Sequence, residues 1–154
     1  MNMKLCTVLA VGVSMLASVA FAQERHVTRS ELPSSVRKTV AEQSKGAKIR
    51  GFSQEEEHGQ TYYEAEMLVN GHSKDVLMDK SGKIVEVEEQ VALDKLPTDV
   101  KSGLEAKAGK GKIAKVESLT KNDKLVAYEA VVVSNGKHHE IQVDPDGKPL
   151  THEE

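Results

Sequence analysis

The sequence contains one stretch twice, and this internal repeat constrains the fold more than any other feature. Residues 63–83 read YEAEMLVNGHSKDVLMDKSGK, and residues 128–148 read YEAVVVSNGKHHEIQVDPDGK. Aligned without a gap, 8 of the 21 positions are identical. Apolar positions also match, for example Val76 with Ile141 and Met78 with Val143. A repeat of this kind indicates that each copy forms one unit of supersecondary structure.

Each copy begins with a predicted amphipathic helix. Leu32, Val36 and Val40 recur at a spacing of four, which is one face of a helix, and Pro33 is tolerated in a first helical turn. The spacing predicts a helix from about residue 33 to residue 45, with Gly46 at its end. The second copy repeats the pattern 64 residues later, starting at Leu96-Pro97.

Strands and tight turns follow the helix in each copy. Residues 61–69 alternate between apolar and polar side chains, which is typical of a half-buried strand. Asn70-Gly71 and Asn135-Gly136 are strong hairpin signals, because a type I′ turn needs positive φ at both central residues. The offset between the copies grows from 64 to 65 residues between Phe52 and Tyr63, so we expect one inserted residue at or near a hairpin tip.

These patterns predict an α+β fold made of two tandem repeats, each a helix packed on a short antiparallel β-sheet. The first repeat covers residues 31–88, a linker covers 89–95, and the second repeat covers 96–154. Units of about 60 residues have marginal cores. We therefore expect the two repeats to pack together.

The pattern of motifs resembles the PepSY-like repeat. The resemblance rests on Leu-Pro-x-x-Val at each helix start, Tyr-Glu-Ala before each Asn-Gly hairpin, and the D-x-x-G-K turns that end at Lys83 and Lys148. The double copy with an export signal resembles small secreted PepSY-like proteins grouped with β-lactamase-inhibitor-like folds. The resemblance implies a helix on a short sheet in each copy and a role as a secreted inhibitor or regulator of an enzyme. Pro149 stands where the first copy has Ile84, so the last strand of the second copy is expected to be absent or an edge.

The N-terminus has the features of a secretory signal peptide. Lys4 precedes an apolar run that is too short to span a membrane, and Ala20-Phe21-Ala22 is a small-residue cleavage pattern. We assign residues 1–22 to the signal peptide, with cleavage near Ala22, and residues 23–30 to a flexible leader. The predicted location is a bacterial periplasm or the exterior, with no membrane span after cleavage.

The composition of the remaining chain excludes several classes of function. Cys6 is the single cysteine, so the exported chain has no disulfides and no thiol chemistry. Of the 21 basic residues one is Lys4, which leaves 20 against 24 acidic residues and a net charge of −4. Nucleic-acid binding and membrane-surface binding both need clustered basic residues, and this balance argues against them.

No motif indicates catalysis, a cofactor or a bound metal, and we expect the protein not to be an enzyme. His138 and His139 are adjacent, so on a strand they point to opposite faces. Exposed, solvated histidines are the favoured interpretation. Asp144-Pro145-Asp146-Gly147 lacks the further oxygen ligands of a calcium loop and is predicted to be a turn.

The outward faces of the central strands are the candidate site for partner binding, because they carry apolar side chains that a solvated face does not need. The predicted partner-binding residues are Tyr62, Glu64, Glu66, Leu68, Leu77, Glu129, Val131 and Val133. Two explanations stay open at this point. Either these faces are covered within the protein or in a homodimer, which we favour slightly, or they bind a partner.

The sequence supports two hypotheses about function. The first is a non-enzymatic secreted binding module, an inhibitor or regulator of an exported enzyme such as a peptidase. The second is a periplasmic protein that responds to a cation or small ligand, based on the acidic turns and the 6 histidines.

Overall fold

The protein forms one antiparallel β-sheet of eight strands with two helices on one side. The computed structural model describes residues 24–57 and 59–150, so the predicted signal peptide lies outside the described residues. The strands follow one another across the sheet in chain order. They are β1 (Arg25–His26), β2 (Ala47–Glu57), β3 (Gln60–Val69), β4 (His72–Asp79), β5 (Ile84–Gln90), β6 (Lys112–Lys121), β7 (Lys124–Ser134) and β8 (Lys137–Val143). The helices are α1 (Ser34–Gln43) and α2 (Thr98–Ala108).

The continuous sheet corrects the prediction of two repeats that each pack a helix on a small sheet of their own. β5 runs to Gln90, beyond the predicted end of the first repeat at residue 88 and into the predicted linker, and it pairs with β6 from Glu86↔Lys121 to Gln90↔Glu117. The sequence-based prediction is wrong because the edges of two short sheets expose unpaired N–H and C=O groups. Pairing them with each other satisfies those groups. One eight-stranded sheet with two helices replaces the two separate units.

The leader also differs from its prediction. Arg25 and His26 pair with Gln54 and Ser53 of β2, and the Val27 side chain is buried against the core. Residues predicted to be a flexible leader therefore form the first edge strand of the sheet.

Both helices cover the same side of the sheet, here called the helix face. Val36 and Val40 of α1 and Val100 and Leu104 of α2 are fully buried, as their spacing predicts. Each helix packs over its own apolar cluster. The α1 cluster includes Phe52, Tyr63, Ala65, Met67, Val76 and Met78, and the α2 cluster includes Val116, Ala130, Val132, Ile141 and Val143.

The residue inserted in the second half lies in a strand. Leu119 pairs with Ala127, but Thr120 pairs with Leu125, so Val126 of β7 is a β-bulge. A bulge absorbs an extra residue while the rest of the ladder keeps its register. The insertion is thus close to the β6–β7 turn, but within the strand.

Candidate functional site

The side of the sheet opposite the helices, here called the open face, carries every residue predicted for partner binding. Along β3 and β7 these residues alternate with side chains buried beneath the helices. Leu77 joins the set because it lies opposite Glu64 in the register of β3 and β4. The residues are Tyr62, Glu64, Glu66, Leu68, Leu77, Glu129, Val131 and Val133.

The structure leaves both earlier explanations of this face open. The halves meet edge to edge at β5 and β6, and side chains of the two halves contact each other across this junction, since Ser73 Oγ of β4 donates a hydrogen bond to Glu117 of β6 at 2.8 Å. Coverage within the protein or in a homodimer and a surface that binds a partner all stay predictions.

Rows of open-face side chains run across the junction of the halves. One row passes from Glu66 through Asp75 and Glu88 to Leu119 and Ala127. Leu119 and Ala127 are buried even though they lie outside both helix-face clusters. The neighbouring row contains Gln90, Glu117, Glu129 and Gln142.

Carboxylates dominate the open face. They include Glu55, Glu64, Glu66, Asp75, Glu86, Glu88, Glu117, Glu129 and Glu140. Two lysines pair with members of this set: Lys121 Nζ is 3.6 Å from Glu86 Oε2, and Lys115 Nζ is 2.6 Å from Glu117 Oε2. Among the described residues no cation pairs with Glu55, Glu64 or Glu88. The face therefore holds more carboxyl groups than cations.

A cavity of about 130 Å³ opens in the first half of this surface. Its apolar lining comes from Leu77, and the other lining residues all carry carboxylates. Those residues are Glu55, Glu64, Asp75, Glu86 and Glu88. The cavity offers negative charge at its walls and an aliphatic surface beside them.

Burial raises the pKa of several of these carboxyl groups. Burial raises the pKa of Glu64 to about 7, the nearby Asp75 and Glu66 charges act in the same direction, and a hydrogen bond from Ser53 Oγ at 3.0 Å opposes the change. The pKa values of Glu55, Asp75 and Glu129 are also raised, in each case mainly by burial. Carboxyl groups in this state hold protons that exposed carboxyls release.

Glu88 has the most strongly raised pKa on the face. Burial raises it to about 8, and the charges of Glu117, Glu129 and Glu86 add to the effect. Glu88 lies on β5 at the junction of the halves, between Asp75 of β4 and Leu119 of β6. The junction that makes the sheet continuous thus also concentrates like charges.

Three carboxylates at this junction could hold a cation. One oxygen each of Asp75, Glu88 and Glu117 lies within 4.8 Å of the others. Glu117 is nearly fully buried and accepts a hydrogen bond from Ser73 Oγ at 2.8 Å, in addition to its ion pair with Lys115. Oxygen ligands of this kind suit a hard divalent cation. The Lys115 ammonium, however, already supplies positive charge beside the same oxygens.

Sequence reasoning missed the carboxylates of β5 and β6. Glu88 was expected to be the last residue of the first repeat, directly before the linker, rather than the middle of a strand. The signal was present in the sequence, because Glu86 and Glu88 flank Val87 at the spacing of an open-face pair. What the sequence did not show was the strand that pairs with them.

The histidines and the acidic turn are positioned as predicted where the structure describes them. His26, His72, His138 and His139 are exposed, whereas His58 and His152 lie outside the described residues. Asp144 Oδ1 accepts hydrogen bonds from the backbone N–H groups of Asp146 and Lys148, at 2.9 and 2.8 Å. The aspartate therefore organises a turn, which confirms that prediction.

The fold is shared with solved structures from Bacteroides. No protein-family model matches the chain, and no curated protein matches it. A candidate periplasmic protein from Bacteroides eggerthii has a TM-score of 0.62 at 19% identity, covering 77% of this chain and 86% of its own. A DUF2874-family protein from Bacteroides ovatus has a TM-score of 0.59 at 21% identity, covering 78% and 85%. A BLIP-like protein from Bacteroides fragilis has a TM-score of 0.56 at 20% identity, covering 77% and 83%.

At these identities the comparisons show a common fold. The BLIP-like neighbour fits the β-lactamase-inhibitor-like half of the predicted resemblance, while a PepSY-like tandem repeat stays a prediction. The name of the Bacteroides eggerthii neighbour agrees with the periplasmic location predicted from the signal peptide. Within residues 24–57 and 59–150, neither helix has the length and apolar character needed to cross a membrane.

Proposed function

We propose that the protein is a periplasmic, non-enzymatic binding protein whose open face binds a basic segment of another exported protein and so inhibits or regulates it. The observation that carries the proposal is the excess of partly buried carboxylates on a sheet face without a covering helix. The BLIP-like neighbour supports an inhibitory role as one form of this binding.

The charge of the face selects the chemistry of the partner. Glu64 and Glu88 are partly buried without a paired cation, and burying a carboxylate without a cation costs free energy. A lysine or arginine from a partner would offset that cost, and its aliphatic stem would contact Leu77 in the cavity. Complementary charge of this kind mainly increases association rate and specificity.

Apolar side chains around the carboxylates supply contact area. Tyr62 and Leu68 lie on β3, before and after Glu64 along the strand, and Val131 and Val133 lie on β7 in the second half. Tyrosine and aliphatic groups surrounded by charge are typical of a protein-binding surface. The combination fits a folded protein or peptide better than a small ion alone.

The test uses residues 23–154 as bait in a periplasmic extract of the native host, beside two variants. Glu64→Gln with Glu88→Gln removes two open-face carboxyl groups that a bound lysine or arginine would ionise, with little change in shape. Glu42→Gln with Glu105→Gln removes two exposed charges on the helices and serves as the matched control. We expect a partner to bind the wild type and the control at least about ten times more tightly than the open-face variant.

Purified partner is then assayed for activity with and without the bait. Inhibition or activation that is lost in the open-face variant supports the regulatory role. Equal binding by all three proteins would refute the proposal, because it would place the interface away from the open face.

A second candidate function is the binding of a divalent cation by Asp75, Glu88 and Glu117, whose oxygens converge within 4.8 Å. Titration calorimetry with calcium, zinc and copper tests it. Binding that disappears in Glu117→Gln and strengthens in Lys115→Met would support this function, since Lys115 competes for the same oxygens. Absence of heat at millimolar metal would dispose of it.

A further inference from the structure

Within residues 24–57 and 59–150, the outer edge of the last strand of the sheet is paired at one end only. Val143 forms a bridge with Pro149, and the Asp144 N–H points away from β7 to donate to the Lys148 carbonyl at 2.8 Å. Backbone direction alternates along a strand, so the N–H and C=O groups of His138 and Glu140 also point outward. β4 occupies the corresponding place in the first half, and its equivalent edge is paired with β5. No described strand pairs with β8 between Lys137 and Ile141 on this side.

We propose that a second copy of the chain pairs with this edge, β8 to β8 and antiparallel, about a twofold axis at which His139 faces His139. The Pro149 bridge occupies the Val143 end, so the open part of the edge, with which no described residue pairs, runs from Lys137 to Ile141 with His139 at its centre. Two antiparallel copies overlap along the whole open part only in this register. A twofold contact of this kind is closed and uses the same residues on both chains.

Backbone geometry restricts the alternatives. Backbone groups that point outward on one strand can bond only to backbone groups that point outward on the other strand. The register can therefore shift only in steps of two residues, which keep His138 and Glu140 opposite residues whose backbone groups also point outward. In the proposed register His138 faces Glu140 of the second copy, and each of the two pairs exchanges about two backbone hydrogen bonds. A shift toward the C-terminus would place Glu140 against Glu140 and run into the Pro149 bridge.

Charge complementarity supports the same pairing. Charged side chains on an exposed edge usually discourage pairing with other strands. Here the imidazole of His138 faces the carboxylate of Glu140 twice, so the edge accepts a copy of itself while it repels an acidic strand. Both open faces lie on the same side of the joined sheet, because the twofold axis is perpendicular to it.

The test is sedimentation velocity of residues 23–154 from about 1 µM to 1 mM at pH 6.5. We expect a reversible dimer. Glu140→Lys places a lysine opposite His138, and His138→Glu places a glutamate opposite Glu140, so each weakens the dimer about tenfold. The double variant restores opposite charges and returns the dissociation constant to within about threefold of the wild type. Glu105→Lys on α2 controls for the change in net charge.

A further variant, Glu140→Pro, removes one outward N–H and leaves the pairing with β7 intact, because that N–H points away from β7. Its fold is checked by circular dichroism, and if it unfolds, the charge-swap series still decides the question. A chain that stays monomeric at 1 mM overturns the proposal. A dimer whose dissociation constant both single substitutions leave unchanged also overturns it, because such a dimer would use another surface. A double variant that dimerises more weakly than either single variant overturns it as well.

Discussion

At the scale of single residues, the open face is defined by carboxyl groups that hold their protons unusually well. The pKa of Glu64 is raised to about 7 and that of Glu88 to about 8, chiefly by burial, from the ordinary value of 4.5. The opposite case is Glu31, whose pKa is lowered to about 2 by hydrogen bonds from the Thr28 backbone and the Arg25 side chain. Stability therefore changes with pH in opposite directions in two pH ranges.

The sign follows from proton binding. Between about pH 4.5 and pH 8 the folded state binds more protons than the unfolded state at Glu64 and Glu88, so these groups make stability fall as pH rises. Below pH 4.5 the unfolded state binds more protons at Glu31, and its contribution to stability is lost as pH falls toward 2.

Substitution by glutamine should remove the first effect. We expect Glu64→Gln and Glu88→Gln each to stabilise the protein by about 1 kcal/mol at pH 8.5, after a reduction for solvent screening of these partly exposed groups, and by almost nothing at pH 5. Urea unfolding at the two pH values measures the difference, with Glu42→Gln as control. Equal effects at both pH values would mean that the carboxyls ionise normally.

At the scale of elements, each helix is held on the sheet by a D-x-x-G-K turn. Ser35 Oγ and Thr39 Oγ1 of α1 donate to the carbonyls of Lys80 and Gly82, each at 2.7 Å. In the second half Gly147 has a φ of +80°, and a Cβ there would collide with the Asp99 carbonyl of α2. The repeated glycines thus permit the close approach of helix and turn, in addition to the turn conformation itself.

This contact predicts a difference between two glycines with similar backbone angles. Gly136, with φ of +73°, has open space where a Cβ would lie. We expect Gly136→Ala to cost about 1 kcal/mol for its positive φ alone, and Gly147→Ala to cost about 3 kcal/mol because α2 must also move. Urea unfolding at pH 7 measures both. Equal losses of unfolding free energy in the two variants would show that the packing of α2 does not require a glycine at position 147.

Most of the individual elements were predictable from the sequence, but their assembly was not. The buried stripe at Val36 and Val40, the Asn-Gly hairpins and the alternation along β3 all follow from local periodicity and turn chemistry. The pairing of β5 with β6 depends on which edges meet, and periodicity carries no information about that. Glu88 was consequently expected at the end of the first repeat, and the acidic junction was missed along with it.

At the scale of the whole molecule, the net charge is small, but the carboxyl groups are distributed unevenly over the surface. Residues 23–154 carry only −4, yet carboxyl groups from both halves converge on the open face. Net charge therefore argues against nucleic acid, whereas the distribution of carboxyl groups supports the proposed basic protein partner. The continuous sheet is what brings the two sets of carboxylates onto one surface.

The most direct test of this account is a methyl-resolved NMR titration of residues 23–154 with the partner captured from the periplasm, or with a lysine- and arginine-rich peptide derived from it. The account predicts shifts at the open-face methyl groups of Leu77, Leu119 and Val131. It predicts none at Val40 and Leu104, which are buried beneath the helices. Shifts confined to the helix face, or shifts that persist unchanged in Glu64→Gln with Glu88→Gln, would contradict it.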